Sequence, residues 1–236
     1  LEIAIDKIIS SKIFDNATSC SSENSIIVEK NKYREIREIF EKKGAYFASK
    51  YETEIIEKNL FINGRLNSEY ICKPIDKFLD LLKINHSKRN KIKFIIVESI
   101  GVGKKYPLSG EKLSLILTLY KTHNFNESLN LAKKILNYQG IGHSAGIHTN
   151  EEKEVKLLAE NLKVSKIIVN QPHALSNGGG INNSLPFSFT MGCGTWGGNS
   201  FSGNLNIKHF INITTVSSPI KRRKILSENI FKKINL

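Results

Sequence analysis

The sequence predicts an α/β protein in which an open twisted sheet is covered by helices. Short apolar runs of strand type alternate along the chain with longer segments whose apolar residues recur at helical spacing. A length of 236 residues, with 40% hydrophobic and 24% charged residues, is ordinary for one large or two small soluble domains. No apolar run approaches the roughly 18 residues that a transmembrane helix needs, so we expect no membrane partner.

The predicted helices follow from apolar periodicity and from residues that favour helix ends. Isoleucines recur at helical spacing within residues 3–13. Pro74 suits the first turn of a helix at 74–82, and Gly140 ends a helix at 126–140. The full set of predicted helices is 3–13, 32–49, 52–61, 74–82, 126–140, 150–164 and 221–234.

Strands are predicted where β-branched and aromatic residues form short apolar runs. The set is 25–29, 93–99, 114–121, 144–149, 165–170 and 209–216, the last as a sheet-edge or subunit-contact strand. Residues 171–203 hold half of the chain's 16 glycines, which predicts a structured loop region with backbone freedom.

The charge pattern argues against most nucleic-acid binders. The formal net charge is +13, but the basic residues are spread along the chain and interleaved with acids. This spread is typical of solvated lysine faces, whereas a nucleic-acid site would be denser and interleaved with aromatics. A basic nucleic-acid-binding module therefore stays only as a remote alternative, and we expect no nucleic-acid partner.

Three cysteines, Cys20, Cys72 and Cys193, lie far apart in the sequence. Their odd number and spacing fit neither a disulfide framework nor a zinc site, so a reducing, cytoplasmic location and no metal are expected. Cys20 stands in the polar stretch FDNATSCSSENS, whose neighbours can donate hydrogen bonds to a thiolate. The residue types leave open a reactive Cys20 and an ordinary loop cysteine.

Three further features bear on chemistry, each with an ordinary structural alternative. His143 in GHSAGIHT is a candidate for proton transfer, while the five-residue spacing to His148 argues against a shared metal. Glu111 in YPLSGEKLS is by itself a surface charge. The run GCGTWG, with Gly192, Gly194 and Gly197, imitates a dinucleotide fingerprint but lacks the flanking strand, helix and acid.

Taken together, five motifs resemble the CoA-acylating aldehyde dehydrogenases, a group within the aldehyde dehydrogenase superfamily. In order they are FDNATSCSSENS, YPLSGEKLS, YQGIGHSAGIHT, VNQPHALSNGGGINNSLPFSFTMGCGTWGGNS and KHFIN. Their motif type is most similar to the acylating sulfoacetaldehyde dehydrogenases and is related to the aldehyde half of bifunctional acetaldehyde/alcohol dehydrogenases. The resemblance covers nearly the whole chain.

The resemblance implies roles for these residues. Cys20 would be the nucleophile that carries a thioester, and His143 would assist the attack of coenzyme A. Glu111 would hold the nicotinamide ribose, with NAD or NADP as hydride acceptor. Gly192, Gly194 and Gly197 would shape the aldehyde and acyl pocket, and Cys193 would serve packing.

The resemblance also implies a domain arrangement and a substrate. Residues 1–205 would form an aldehyde-dehydrogenase-type catalytic domain. Residues 206–236 would form a C-terminal strand and helix, for oligomerisation or for return to a nucleotide-binding domain that is largely missing here. We therefore expect little activity from the chain alone, and a homo-oligomer in the full-length protein. Sulfoacetaldehyde is the expected substrate, with acetylating acetaldehyde dehydrogenase and non-acylating aldehyde dehydrogenase as alternatives.

Overall fold

The computed structural model describes residues 1–84 and 89–219. The chain divides into two compact units, residues 1–206 and residues 207–236. In the second unit a 3-10 turn spans Ile207–His209, and residues 212–219 have no regular secondary structure.

The first unit is built on a parallel four-stranded sheet, which confirms the predicted α/β class. Its strands are β1 (Ser25–Glu29), β2 (Ala45–Phe47), β5 (Phe94–Glu98) and β6 (Ile116–Thr122). They lie in the order β1-β6-β5-β2, and every neighbouring pair is parallel. A short antiparallel pair, β3 (Phe61–Ile62) and β4 (Arg65–Leu66), lies apart from this sheet.

Seven α-helices are present in the described residues. They are α1 (Glu2–Ile13), α2 (Tyr33–Lys42), α3 (Lys50–Leu60), α4 (Ile75–Leu81), α5 (Phe125–Tyr138), α6 (Glu152–Asn161) and α7 (His173–Asn177). Local chemistry explains where several begin. α3 starts with a capping box in which Ser49 and Glu52 exchange side-chain and backbone hydrogen bonds, and α5 starts where the Asn124 side chain accepts from the Glu127 N–H.

The core of the main sheet follows from the two-residue period of a strand. In β5, Phe94 and Ile96 pack in the cluster that includes α1 and α2, while Ile95 and Val97 pack in the cluster that includes α3 and α4. A strand covered on both faces needs a continuous apolar run, and FIIVE provides one.

A second, smaller parallel pair of strands lies apart from the main sheet. Strands β7 (Gly142–Ile147) and β8 (Val164–Val169) pair in register, with Ser144 opposite Lys166 and Ala145 opposite Ile167. Ala145 and Ile167 pack with α5 and α6. An antiparallel hairpin, β9 (Met191–Cys193) with β10 (Ser202–Asn204), lies within the glycine-rich region.

Two predicted elements are wrong. The helix predicted at 32–49 ends at Lys42, because Gly44 adopts φ +105, which is not a helical conformation. A side chain at position 44 would also come close to the Lys91 carbonyl oxygen. Residues 45–47 form strand β2 instead. The strand predicted at 209–216 does not form, since none of the described residues pairs with it and an unpaired strand has no ladder to stabilise it. The helix predicted at 221–234 lies outside the described residues.

The sheet core predicts a clear difference between two isoleucines. Ile96→Ala removes a fully buried side chain from the central strand β5 and should lower the free energy of unfolding by about 3 kcal/mol. Ile3→Ala, the matched control on α1, alters a side chain that is 71% exposed and should change it by no more than about 0.5 kcal/mol. Urea denaturation measures both, and equal losses would contradict this assignment of the core.

Candidate active site

The loop between α1 and β1 presents Cys20 to solvent. Asp15, Asn16 and Ala17 adopt left-handed backbone conformations, with φ 47, 51 and 58. Such conformations are strained for residues other than glycine and mark functional loops often enough to be informative. After this turn the Cys20 side chain is exposed. The Ser21 N–H donates to Ser19 Oγ at 3.1 Å.

His143 meets Cys20 across 123 residues of sequence. Its Nε2 lies 3.2 Å from Cys20 Sγ, and its Nδ1 lies 2.7 Å from Ser144 Oγ. Burial, together with the nearby positive charge of Lys166, lowers the pKa of His143 below its usual value. A neutral ring with its proton on Nδ1 directs an acceptor nitrogen at the thiol, which is the arrangement of a nucleophile with an adjacent base.

Two buried polar residues, Asn177 and His173, tie the cysteine loop to other elements. Asn177 is fully buried, and its Nδ2 donates to Ser21 Oγ at 2.6 Å and to Ser144 Oγ at 3.2 Å. His173 Nδ1 lies 2.7 Å from the Ser21 carbonyl oxygen. Ser21 is next to Cys20 and Ser144 is next to His143 in the chain, so this network fixes the cysteine loop and β7 relative to each other.

A buried ammonium group lies beneath the same loop. Lys12 is 1% exposed and donates from Nζ to the Glu23 carbonyl oxygen at 2.8 Å. Burial lowers the pKa of Lys12 to about 7, opposed by the Glu23 carboxylate, and burial raises the pKa of Glu23 to about 7. Burial disfavours the charged form of both groups, because neither is solvated by water.

The glycine motif lies beside His143. A side chain at Gly142 would come within 2.5 Å of the Gly197 N and 2.6 Å of the Cys193 carbonyl oxygen, so the start of β7 packs directly on this motif. Gly194 adopts φ 60, which favours glycine, and Gly192 pairs with Gly203 in the hairpin. The pocket-shaping role of Gly192, Gly194 and Gly197 stays a prediction.

Glu111 lies in a neighbouring loop. Its backbone N–H donates to Gln139 Oε1 at 2.8 Å, and partial burial raises the pKa of its carboxyl group. The next residue, Lys112, donates its N–H to Asn24 Oδ1 at 2.9 Å, which joins this loop to the segment after Cys20. None of the contacts of the described residues joins Glu111 directly to Cys20 or His143. A cavity of about 570 Å³ is lined by residues 100–103, Tyr106 and α5, and neither Cys20 nor His143 lines it.

Three residues of the site were not identified from the sequence: Lys166, His173 and Asn177. Of the three, Lys166 had the clearest signal in the sequence, because a single lysine interrupts the otherwise apolar strand VSKIIV. Asn177 and His173 belong to a short helix inside the glycine-rich region, where no periodicity marks a buried face.

Two classes of site find no support in the described residues. They contain no group of three or more His, Cys, Asp or Glu side chains that could hold a metal ion. No helix among them is both long and apolar enough to cross a bilayer.

Several arginines and lysines of α2 and its C-terminus are paired with acids, as in Arg37–Glu41 and Lys43–Asp6, which is typical of a solvated charged face.

The relatives of the chain agree with the motif resemblance. The chain is 36% identical over 220 residues to an acylating sulfoacetaldehyde dehydrogenase of Cupriavidus necator, covering 93% of this chain and 45% of the relative. It is 37% identical over 234 residues to a sulfoacetaldehyde dehydrogenase of Acholeplasma sp., covering 97% of this chain and 48% of the relative. No protein-family model matches the chain.

A solved structure gives the same result for the fold. An acetylating aldehyde dehydrogenase from Geobacillus thermoglucosidasius superposes with a TM-score of 0.85 at 31% identity, over 95% of this chain and 49% of that chain. The chain thus spans about half the length of the curated relatives it matches. Its homologues are acylating aldehyde dehydrogenases, and the predicted resemblance is confirmed.

The buried His173 predicts a pH dependence of stability. Burial lowers the pKa of His173 to about 4 from an ordinary value of 6.5, so between these values the unfolded chain binds more protons than the folded one. Stability contributed by neutral His173 is therefore full above pH 6.5 and is lost as the pH falls, by about 3 kcal/mol at pH 4. Urea unfolding between pH 7 and pH 4 measures the loss.

Two asparagine variants isolate this contribution from other titrating groups. His173→Asn can keep a donor for the Ser21 carbonyl but cannot titrate, so its stability should fall less steeply with acid. His123→Asn, at an exposed histidine, should keep the steep wild-type dependence. If the free energy of unfolding fell equally with pH in all three proteins, His173 would not be the titrating group.

Proposed function

We propose that this chain, a homologue of the acylating aldehyde dehydrogenases, carries the nucleophile and the acid–base group of an enzyme that converts an aldehyde to an acyl-CoA. The observation that carries the proposal is the 3.2 Å approach of His143 Nε2 to the exposed Cys20 Sγ. Solvent access suits a group that must meet two substrates, and the partly buried histidine beside it suits proton transfer.

In the first half-reaction the Cys20 thiolate adds to the aldehyde carbon and gives a hemithioacetal. The developing oxyanion needs hydrogen-bond donors. The N–H groups of Ser21 and Ser22 are already bound, to the Ser19 side chain and the Ser19 carbonyl oxygen. The Cys20 N–H has no acceptor among the described residues and is the donor that this loop can offer.

The nicotinamide cofactor fits one feature of the chain. The Glu111 carboxyl group is partly buried and has no hydrogen-bond donor among the described residues; burial raises its pKa, and the nearby Lys112 partly opposes that rise. Such acceptor oxygens suit the hydroxyl groups of a ribose, so Glu111 would hold that end of the cofactor. When bound, NAD or NADP would accept hydride from the substrate carbon.

In the second half-reaction coenzyme A takes the acyl group from Cys20. Because its pKa is lowered, His143 is neutral near pH 7 and can accept the proton of the coenzyme A thiol. The resulting thiolate attacks the carbonyl carbon of the thioester, the bond from carbon to Cys20 Sγ breaks, and Cys20 leaves as a thiolate. The product is an acyl-CoA.

Sulfoacetaldehyde is the substrate we favour, because the relatives at 36% and 37% identity are named for it. The amide of Asn183 is not available to a sulfonate, since its Nδ2 donates to Gln171 Oε1 and to the Ser176 carbonyl oxygen. Asn182 is exposed and has no partner among the described residues. Acetaldehyde is the second candidate, favoured by the structural neighbour at 31% identity.

The acyl-transfer half-reaction can be tested in reverse without a nicotinamide cofactor. Incubation of the chain with acetyl-CoA or sulfoacetyl-CoA should place one acyl group on Cys20 and release one equivalent of coenzyme A, since the equilibrium can be approached from either side. Intact-mass analysis and a thiol assay measure the two products. Cys20→Ser should not release coenzyme A, whereas Cys72→Ser and Cys193→Ser should behave as wild type.

The same assay separates acyl transfer from hydrolysis. If free coenzyme A removes the acyl group much faster than buffer alone does, the enzyme is of the acylating class. Equal rates would favour a non-acylating aldehyde dehydrogenase. Acylation on Cys72 or Cys193 with Cys20 unmodified would overturn the nucleophile assignment.

His143→Gln should slow acylation of Cys20 by acyl-CoA about 100-fold, because glutamine cannot supply or accept the proton. The pH dependence of the acylation rate distinguishes a role of His143 in proton transfer from a structural role. The wild-type rate should include a dependence on a group with a pKa below 6.5, and the variant should lack it. His148→Gln is the matched control on the same segment, and an equal loss in both variants would indicate a structural effect.

A further inference from the structure

The Lys166 side chain lies on the face of β8 opposite to the one that packs with α5 and α6. Side chains along a strand alternate between faces, and Ala145 and Ile167 form a registered pair that packs with α5 and α6. The adjacent registered pair, Ser144 and Lys166, therefore points to the other side. Ser144 Oγ is the group that contacts His143 Nδ1.

Two buried asparagines hold the Lys166 ammonium group on this side. Its Nζ donates to Asn204 Oδ1 at 2.8 Å and to the Asn177 carbonyl oxygen at 3.3 Å. Asn177 is also the residue whose side-chain amide reaches Ser21 and Ser144, the neighbours of Cys20 and His143. The cation is thus tethered to the framework that positions the reactive pair.

The charge of Lys166 is not neutralised by a carboxylate. Among the described residues no Asp or Glu forms an ion pair with it, and both of its hydrogen-bond partners are uncharged. Burial lowers the pKa of Lys166, while the thiols of Cys193 and Cys20 act in the opposite direction. A partly buried cation without a counter-charge acts on nearby ionisable groups more strongly than one in bulk water.

The other titratable groups around Cys20 do not supply such a cation. His143 on β7 and His173 on α7 have pKa values lowered by burial. Lys12 on α1 faces the Glu23 carboxylate, and Cys193 on β9 is a thiol.

We propose that Lys166 is a positioning residue of the reaction, the cation that stabilises the Cys20 thiolate and keeps His143 in its neutral form. This inference rests on the proposed function for its catalytic meaning. A thiolate favoured by a nearby cation is both more abundant as a nucleophile and a better leaving group when coenzyme A attacks the thioester. The same cation disfavours a second positive charge on His143, so the base remains available.

The test is the rate of Cys20 alkylation by iodoacetamide against pH, with mass-spectrometric assignment to each cysteine. Lys166→Met should slow the alkylation of Cys20 at neutral pH about tenfold, because the thiolate is the form that reacts. Lys166→Arg should restore most of the wild-type value. Lys153→Met removes an exposed lysine without a contact to the site and should leave the profile unchanged.

Lys166→Gln gives a second measurement in case Lys166→Met does not fold. This change keeps an N–H donor for the Asn204 Oδ1 acceptor but removes the cation, so the alkylation of Cys20 at neutral pH should also slow. Circular dichroism checks that each variant is folded. An unchanged Cys20 profile in the folded variants would overturn the proposal.

The outcome is independent of acyl transfer. If Lys166 controls the alkylation rate of Cys20 but acyl-CoA never modifies Cys20, the electrostatic inference stands and the proposed function fails. If Cys20 is acylated and its alkylation rate does not depend on Lys166, the function stands and this inference fails.

Discussion

The site depends on one buried amide. Asn177 is fully buried and bridges Ser21, beside the cysteine, and Ser144, beside the histidine, which lie 156 and 33 residues away in sequence. A buried N–H group deprived of its acceptors costs about 1–3 kcal/mol, so the cysteine loop and β7 are favoured to occupy the arrangement in which Asn177 Nδ2 has both serine acceptors. The 3.2 Å approach of His143 to Cys20 is a consequence of that arrangement, because both residues sit one position away from an anchored serine.

Buried lysines extend this framework to the loop of Glu111. Lys112 is fully buried, and its Nζ donates to the carbonyl oxygens of Leu108 and Gly110 at 2.7 and 2.8 Å. Lys12 does the same for the Glu23 carbonyl oxygen. Each lysine side chain donates to loop carbonyl oxygens in the interior, and burial lowers the pKa of both lysines. Buried lysine side chains therefore hold irregular backbone near the site by hydrogen bonds to its carbonyl oxygens.

The sequence predicted elements well where the controlling interactions are local. The strand FIIVE is apolar on both faces, and the helix at 126–140 ends at a glycine, so pattern alone located them to within two residues. The strand predicted at 209–216 failed because a strand depends on a partner that periodicity does not identify. Among site residues, Cys20 and His143 could be named because motif resemblance pointed to each. Lys166 and Asn177 could not, since their importance lies in contacts between distant segments.

The division of labour around Cys20 follows from opposing requirements. The proposed nucleophile must be open to solvent, yet solvent screens the electrostatic interactions that make a thiol reactive. Cys20 is exposed, whereas His143 and Lys166, the groups proposed to act on it, are partly buried. The proposed acyl transfer to and from coenzyme A needs only these groups of the chain, whereas the hydride step also needs a nicotinamide cofactor. Acyl transfer is therefore the half of the chemistry that the geometry of residues 1–206 supports most directly.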